Sequence, residues 1–171
     1  EANDYRYFPD PDLLPVVTTE SDILGIRTTM PELPDAKRAR FVEQYDLSDY
    51  DAGVLTSSRE LADYYEKVVE YTGTTSAKLS ANWVMGDLAA SLNAENLDIA
   101  DSRVDAKTLA GLVNRIADDT ISGKIGKDLF EIVWTEGGDT AEIVETRGMK
   151  QVTDTGAIEK AVDEIIAANP D

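Results

Sequence analysis

Residues 57–73 read SSRELADYYEKVVEYTG, and this stretch decides the fold class. Ser57 and Glu60 stand three apart, the spacing of a capping box at a helix start. Leu61, Tyr65 and Val68 then recur at helical spacing and form one apolar stripe. Gly73 stops the pattern as a C-terminal glycine. The same grammar repeats downstream. In SAKLSANWVMGDLAASLN, Leu79, Trp83, Leu88 and Leu92 recur at spacings of four, five and four, which predicts one buried helix face. Gly86 inside it costs about 1 kcal/mol against alanine, and a close helix crossing is one reason to tolerate it. In DAKTLAGLVNRIADD, Asp105 is the predicted cap and Leu109, Leu112, Val113 and Ile116 the buried face. SGKIGKDLFEIVWTEGG has Ser122 as cap and Gly137 with Gly138 as stop. DTAEIVETRG pairs Asp139 with Glu142 and ends at Gly148. DTGAIEKAVDEIIAANP carries Ile158, Val162, Ile165 and Ile166.

Upstream, PDAKRARFVEQYD starts on Pro34, a residue suited to the first helical position, with Ala39, Val42 and Tyr45 on the expected inner face. SDYDAGVL reads as a turn or two capped by Ser48. Before Pro34 the texture differs. Pro9, Pro11, Pro15, Pro31 and Pro34 crowd the start of the chain, and no helical period precedes Pro34. LLPVVTT suits a short strand, and DYRYFPDPDL at residues 4–13 a stiff extended strap, because each proline fixes its own φ and pushes the preceding residue into extended backbone. Arg6 sits between Tyr5 and Tyr7, placed to stack on them or to clamp a carboxylate. The prediction is a mostly α protein: a bundle of about seven helices with short loops, preceded by an extended proline-rich arm. The chain stops just after an amphipathic helix with nothing to cover it, which suggests a piece cut from something longer.

Of the 171 residues, 42% are hydrophobic, enough for a packed core, and no run approaches a membrane span or a secretory leader. Cysteine and histidine are both absent, which removes disulfides, thiolate metal sites and the commonest nucleophile–base pairs. A net charge of −18 argues against unaided binding to nucleic acid. Glu1, Asp4, Asp10 and Asp12 are hard-metal ligand types, but their spacing fits no ligand loop, and a solvated acidic segment is the favoured reading. YTGTTSAK and SGKIGK lack the phosphate-loop spacing and read as helix stops and starts. Trp83 and Trp134 read as core. One feature departs from the acidic background: Lys107, Arg115, Lys124 and Lys127 lie close in sequence, with Arg147 and Lys150 following. The favoured reading is a solvated face, and the sharper one a phosphate-facing patch.

Three blocks together resemble the GatB family, the B subunits of aspartyl/glutamyl-tRNA amidotransferases. They are DYRYFPDPDL, PELPDAKRARFVEQYDLSDYDAGVLTSSRELADYYE, and SANWVMGDLAASLN followed by LAGLVNRIADDTISGKIGKDLFEIV. The helical half also resembles stand-alone YqeY-type proteins, which lack the strap. The resemblance implies three parts: residues 1–22 as the end of a catalytic cradle domain, 23–147 as a helical domain, and 148–171 as the start of a YqeY-like tail. It implies a cytoplasmic ligase of protein biosynthesis that amidates Glu-tRNA(Gln) and Asp-tRNA(Asn). ATP and magnesium act in the cradle, with the A and C subunits of the amidotransferase as partners and no membrane or DNA role. No catalytic or metal residue carries over, and the segment alone is expected to be inactive. Asp4 and Arg6 belong to the strap near the parent active site. The tRNA-facing candidates are Lys107, Arg115, Lys124, Lys127, Arg147 and Lys150. The other reading is an acidic helical protein-interaction module without tRNA contact.

Overall fold

The computed structural model describes residue 12 and residues 16–151, so the strap apart from Asp12, Leu13 to Pro15 of the expected short strand, and the closing helix from residue 154 lie outside the described residues. The chain divides into two compact units, Glu1–Leu33 and Pro34–Asp171.

The first unit carries α1 (Glu20–Thr29), a helix in a region where the sequence reading expected none. Its signal is local rather than periodic. Thr19 and Asp22 form a reciprocal capping box: Asp22 N–H donates to Thr19 Oγ1 at 3.2 Å, and Thr19 N–H donates to Asp22 Oδ2 at 2.8 Å. The Thr19 hydroxyl, which donates to Asp22 Oδ2 at 2.6 Å, and then the Thr19 N–H hold the Asp22 carboxyl below its ordinary range. Ile23, Leu24, Ile26 and Met30 are all exposed within this unit, so no single buried stripe marks the helix. Met30 precedes Pro31, which disfavours helical backbone there and ends the element.

The second unit is a helical bundle, with no strand among the described residues. α2 (Pro34–Tyr45) leads into α3 (Asp49–Leu55), whose first turn is capped by Ser48 accepting from Asp51 N–H. The inner face of α2 differs from expectation. Phe41 and Tyr45 are buried, whereas Ala39 and Val42 are exposed. Phe41, Tyr45 and Tyr65 form an aromatic cluster with centroids 5.2 to 5.5 Å apart, and the larger rings win the core.

α4 (Arg59–Thr72) ends at Gly73, whose φ of +79° suits glycine. Its cap is Ser58, not Ser57: Leu61 N–H donates to Ser58 Oγ at 3.1 Å. The capping-box spacing of Ser57 with Glu60 is overruled: the helix starts one residue later, with Ala62, Tyr65, Val68 and Val69 turned inward. Ser58→Ala is expected to cost about 1 kcal/mol and Ser57→Ala close to nothing, measured by denaturant midpoints; the reverse order would restore Ser57 as the cap.

α5 (Ala77–Trp83) and α6 (Ala89–Glu95) are joined by a π-helical turn at Val84–Leu88. This explains the spacing of five between Trp83 and Leu88. One wide turn adds a residue without rotating Leu88 off the inner face, so Trp83, Leu88 and Leu92 are all buried. Gly86 sits in that turn, exposed, and a Cβ added there would meet nothing within 4 Å, so it marks no close crossing. The close crossing belongs to Gly126, where a Cβ would lie 2.7 Å from Ile116 Cδ1 and 3.2 Å from Trp83 Cζ2.

α7 (Ala106–Ala117) and α8 (Gly123–Glu136) complete the core, and α9 (Thr140–Thr146) packs on both. Tyr64 Oη donates to Val104 O at 2.8 Å, and Asn114 Nδ2 donates to Tyr71 O at 3.3 Å, so α4 and α7 run in the same direction. Trp134 is buried, and its indole N–H donates to Glu95 Oε1 at 2.8 Å, tying the end of α8 to the end of α6.

Candidate nucleic-acid interface

The cations singled out in the sequence sit on α7, α8 and the segment after α9. α7 begins on Asp105, whose Oδ1 accepts from Thr108 N–H at 2.7 Å, and it presents Lys107 in its first turn. Lys107 is exposed and lines a hollow of about 480 Å³ between α4 and α7, together with Lys67 and Tyr71. Two turns further on, Arg115 is half-buried. Its Nη1 donates to Gly111 O at 2.5 Å and to Thr140 Oγ1 at 3.0 Å. Thr140 is itself buried, and a Cβ at Gly111 would lie 2.5 Å from its hydroxyl, so glycine is what lets α7 and α9 close on this bond.

Where α7 ends, Ile121 N–H donates to Arg115 O at 3.0 Å across a turn in which Asp119 adopts φ +58°. Asp118 is pulled below the ordinary carboxylate range, first by hydrogen bonding from Thr120 and to a lesser degree by the Arg115 charge. The same turn delivers Ser122, which caps α8 by accepting from Ile125 N–H at 3.3 Å. Gln151 N–H donates to Thr120 O at 2.9 Å and brings the chain after α9 back to this corner. Arg115, Lys124 and Lys150 are therefore carried on elements that meet where α7 gives way to α8.

The remaining candidates are more occupied. Lys127 lies 3.6 Å from Asp87 Oδ1 on the π turn. Arg147 pairs with Glu136 at 2.5 Å and Lys150 with Glu145 at 3.2 Å, all four side chains exposed. Lys124 makes no ion pair among the described residues. Asp139, which caps α9, is held low first by the backbone N–H groups of Glu142 and Ala141, with Arg115 and Lys107 adding at longer range. Asp4 and Arg6 lie outside the described residues. The Gly111–Arg115–Thr140 contact had no signal in the sequence, because it joins residues 25 or more apart through a single side-chain hydroxyl.

YTGTTSAK forms the end of α4 and a 3₁₀ turn at Thr74–Ser76, and SGKIGK forms the start of α8. Among the described residues no three carboxylates converge in a way that would hold a metal ion. Nor is any helix there long and apolar enough to cross a membrane.

Comparison with known proteins defines the class of the bundle. The chain is 63% identical over 170 residues to a protein from Nitrosococcus oceani named as the B subunit of aspartyl/glutamyl-tRNA(Asn/Gln) amidotransferase, covering 99% of this chain and 35% of that one. Proteins of the same name from Alkalilimnicola ehrlichii and Methylobacterium sp. (strain 4-46) are 59% and 60% identical over 170 and 171 residues, covering 99% and 100% of this chain and 35% and 34% of theirs. The chain thus spans about a third of the length of these relatives. The profile of the GatB/YqeY family, described as the GatB domain, matches residues 63–171, and the chain belongs to that family.

Proposed function

We propose that this chain is a non-catalytic part of GatB, the B subunit of a tRNA-dependent amidotransferase, and that it helps position misacylated Glu-tRNA(Gln) or Asp-tRNA(Asn) for ATP-dependent transamidation. The observation that carries this is the identity of 57–63% shared with proteins of that name over nearly the whole chain. On this reading ATP and magnesium act in the remainder of GatB, and the A and C subunits are its partners. The α7–α8 corner supports a tRNA-facing role, since it gathers cations in a chain of net charge −18.

Two expected results test the proposal. The chain alone, given ATP, magnesium, glutamine and Glu-tRNA(Gln), is expected to turn over nothing; turnover above a no-protein blank would show a complete site within it. In the full enzyme, Lys124 and Lys127 both replaced by glutamate should raise KM for tRNA and leave glutamine hydrolysis intact. Each lost phosphate contact removes about 0.7–0.9 from the salt slope of binding, so the effect is largest at low salt. An unchanged KM at low salt would make this corner a solvated surface.

A further inference from the structure

We propose that the hollow beside Arg115 seats one backbone phosphate of the bound RNA, with the guanidinium as a preset fork. This rests on the tRNA-docking reading above and assigns it a specific contact. The hollow, about 320 Å³, is bordered by Asn114, Arg115, Asp118, Thr120, Glu145 and Lys150. Arg115 spends one nitrogen, Nη1, on Gly111 O and Thr140 Oγ1. No described residue accepts from its Nε or Nη2. A guanidinium anchored through one nitrogen keeps its plane fixed, and its other donors retain the side-by-side geometry that matches two phosphate oxygens. Its rotamer entropy is already spent in the fold, so a ligand gains the fork at reduced cost.

The two acids at the rim do not cancel it. Asp118 is turned into its own loop, where its carboxylate accepts from Thr120 N–H at 3.0 Å. Glu145 holds Lys150 in an exposed pair at 3.2 Å. Such a pair is worth little, so the ammonium is available to a stronger anion at small cost. Asn114 and Thr120 add polar side chains at the edge. A backbone phosphodiester, with one negative charge, fits this layout better than a doubly charged terminal phosphate, because Asp118 and Glu145 repel a second charge at the fork.

The test is titration of the 171-residue chain with unmodified tRNA at low salt, followed by amide NMR shifts. In the wild type, Asn114, Thr120 and Lys150 amides are expected to move. Arg115→Gln should weaken binding about tenfold and lower the salt slope by about 0.7–0.9. Thr140→Val, which keeps the charge and frees the fork, should weaken binding with the slope unchanged. Arg59→Gln, which removes an exposed cation paired with Asp63 and outside the candidate surface, should stay within about twofold. Arg115 variants with lowered melting points but wild-type affinity and slope would make the residue a staple between α7 and α9, overturning the site. If Arg115→Gln does not fold, wild-type shifts that bypass Asn114, Thr120 and Lys150 overturn it equally. A wild-type chain that leaves tRNA untouched at low salt overturns the docking reading and the site with it, whereas wild-type binding unaffected by Arg115→Gln overturns the site alone.

Discussion

Trp83→Ala is expected to lower the stability of the bundle by about 3–5 kcal/mol, the range for truncating a large buried aromatic. Trp83 is 6% exposed, its ring centroid lies 6.0 Å from that of Phe130, and the far edge of its indole closes over Gly126. Truncation would open a hole bounded by α5, α7 and α8. Ile116, the side chain beside Gly126 at this crossing, is β-branched and stiff at χ1, so the hole would collapse only in part. A domain is typically stable by about 5–15 kcal/mol, so one substitution would consume a large share. Denaturant unfolding followed by circular dichroism provides the measurement. A midpoint within error of the wild type would place Trp83 outside the core.

Trp83 also shows why the fold was largely legible in the sequence. The apolar spacing of four, five and four already implied that Trp83 and Leu88 share a face, and the π turn is the backbone's way of satisfying it. Glycines 73 and 137 mark helix ends by their positive φ, and Ser48, Asp105, Ser122 and Asp139 mark starts by a side-chain oxygen; both signals are local. The reading failed where local cues misled or were overruled. The Ser57–Glu60 spacing placed the cap of α4 one residue early, and Phe41 displaced Val42 because an aromatic cluster buries more surface than a β-branched residue. α1 was missed because its stop is a proline and its apolar residues form no buried stripe. The candidate site was legible only as composition. The sequence showed where cations concentrate, but not that Arg147, Lys150 and Lys127 have carboxylate neighbours or that Arg115 is anchored by Thr140, since those depend on which helices meet.

Stability should fall steeply above about pH 10, the ordinary tyrosine value. Tyr64 and Tyr65 have phenols pushed well above that value, chiefly by burial, with Asp105 adding for Tyr64, and Tyr45 and Glu66 adding for Tyr65. Both hydroxyls donate to backbone carbonyls, Tyr64 to Val104 O at 2.8 Å and Tyr65 to Ala77 O at 3.1 Å, and a phenolate has no proton to donate. Tyr45 is shifted the same way, first by burial and then by Glu66. The sign follows from linkage. Below about pH 10 these phenols are protonated in both states and their contribution is complete. Above it the unfolded chain releases protons that the folded chain retains, so each such group costs about 1.4 kcal/mol per pH unit until its folded value is reached. Lys37 acts in the same direction: burial opposes its charge, but Asp63 and Glu66, at 2.9 and 3.2 Å, outweigh it and raise its pKa. Tyr64→Phe and Tyr65→Phe separate the phenols from the lysine. Each should cost about 1 kcal/mol near neutral pH, the worth of one hydrogen bond, yet each should remove one proton from the alkaline slope. The measurement is denaturant unfolding at a series of pH values, with tyrosinate absorbance recorded alongside. Absorbance from these phenols that rises before the helical signal is lost, or a slope unchanged in both variants, would mean that the surroundings of Tyr64 and Tyr65 on α4 admit ionised tyrosine and do not enforce the neutral form.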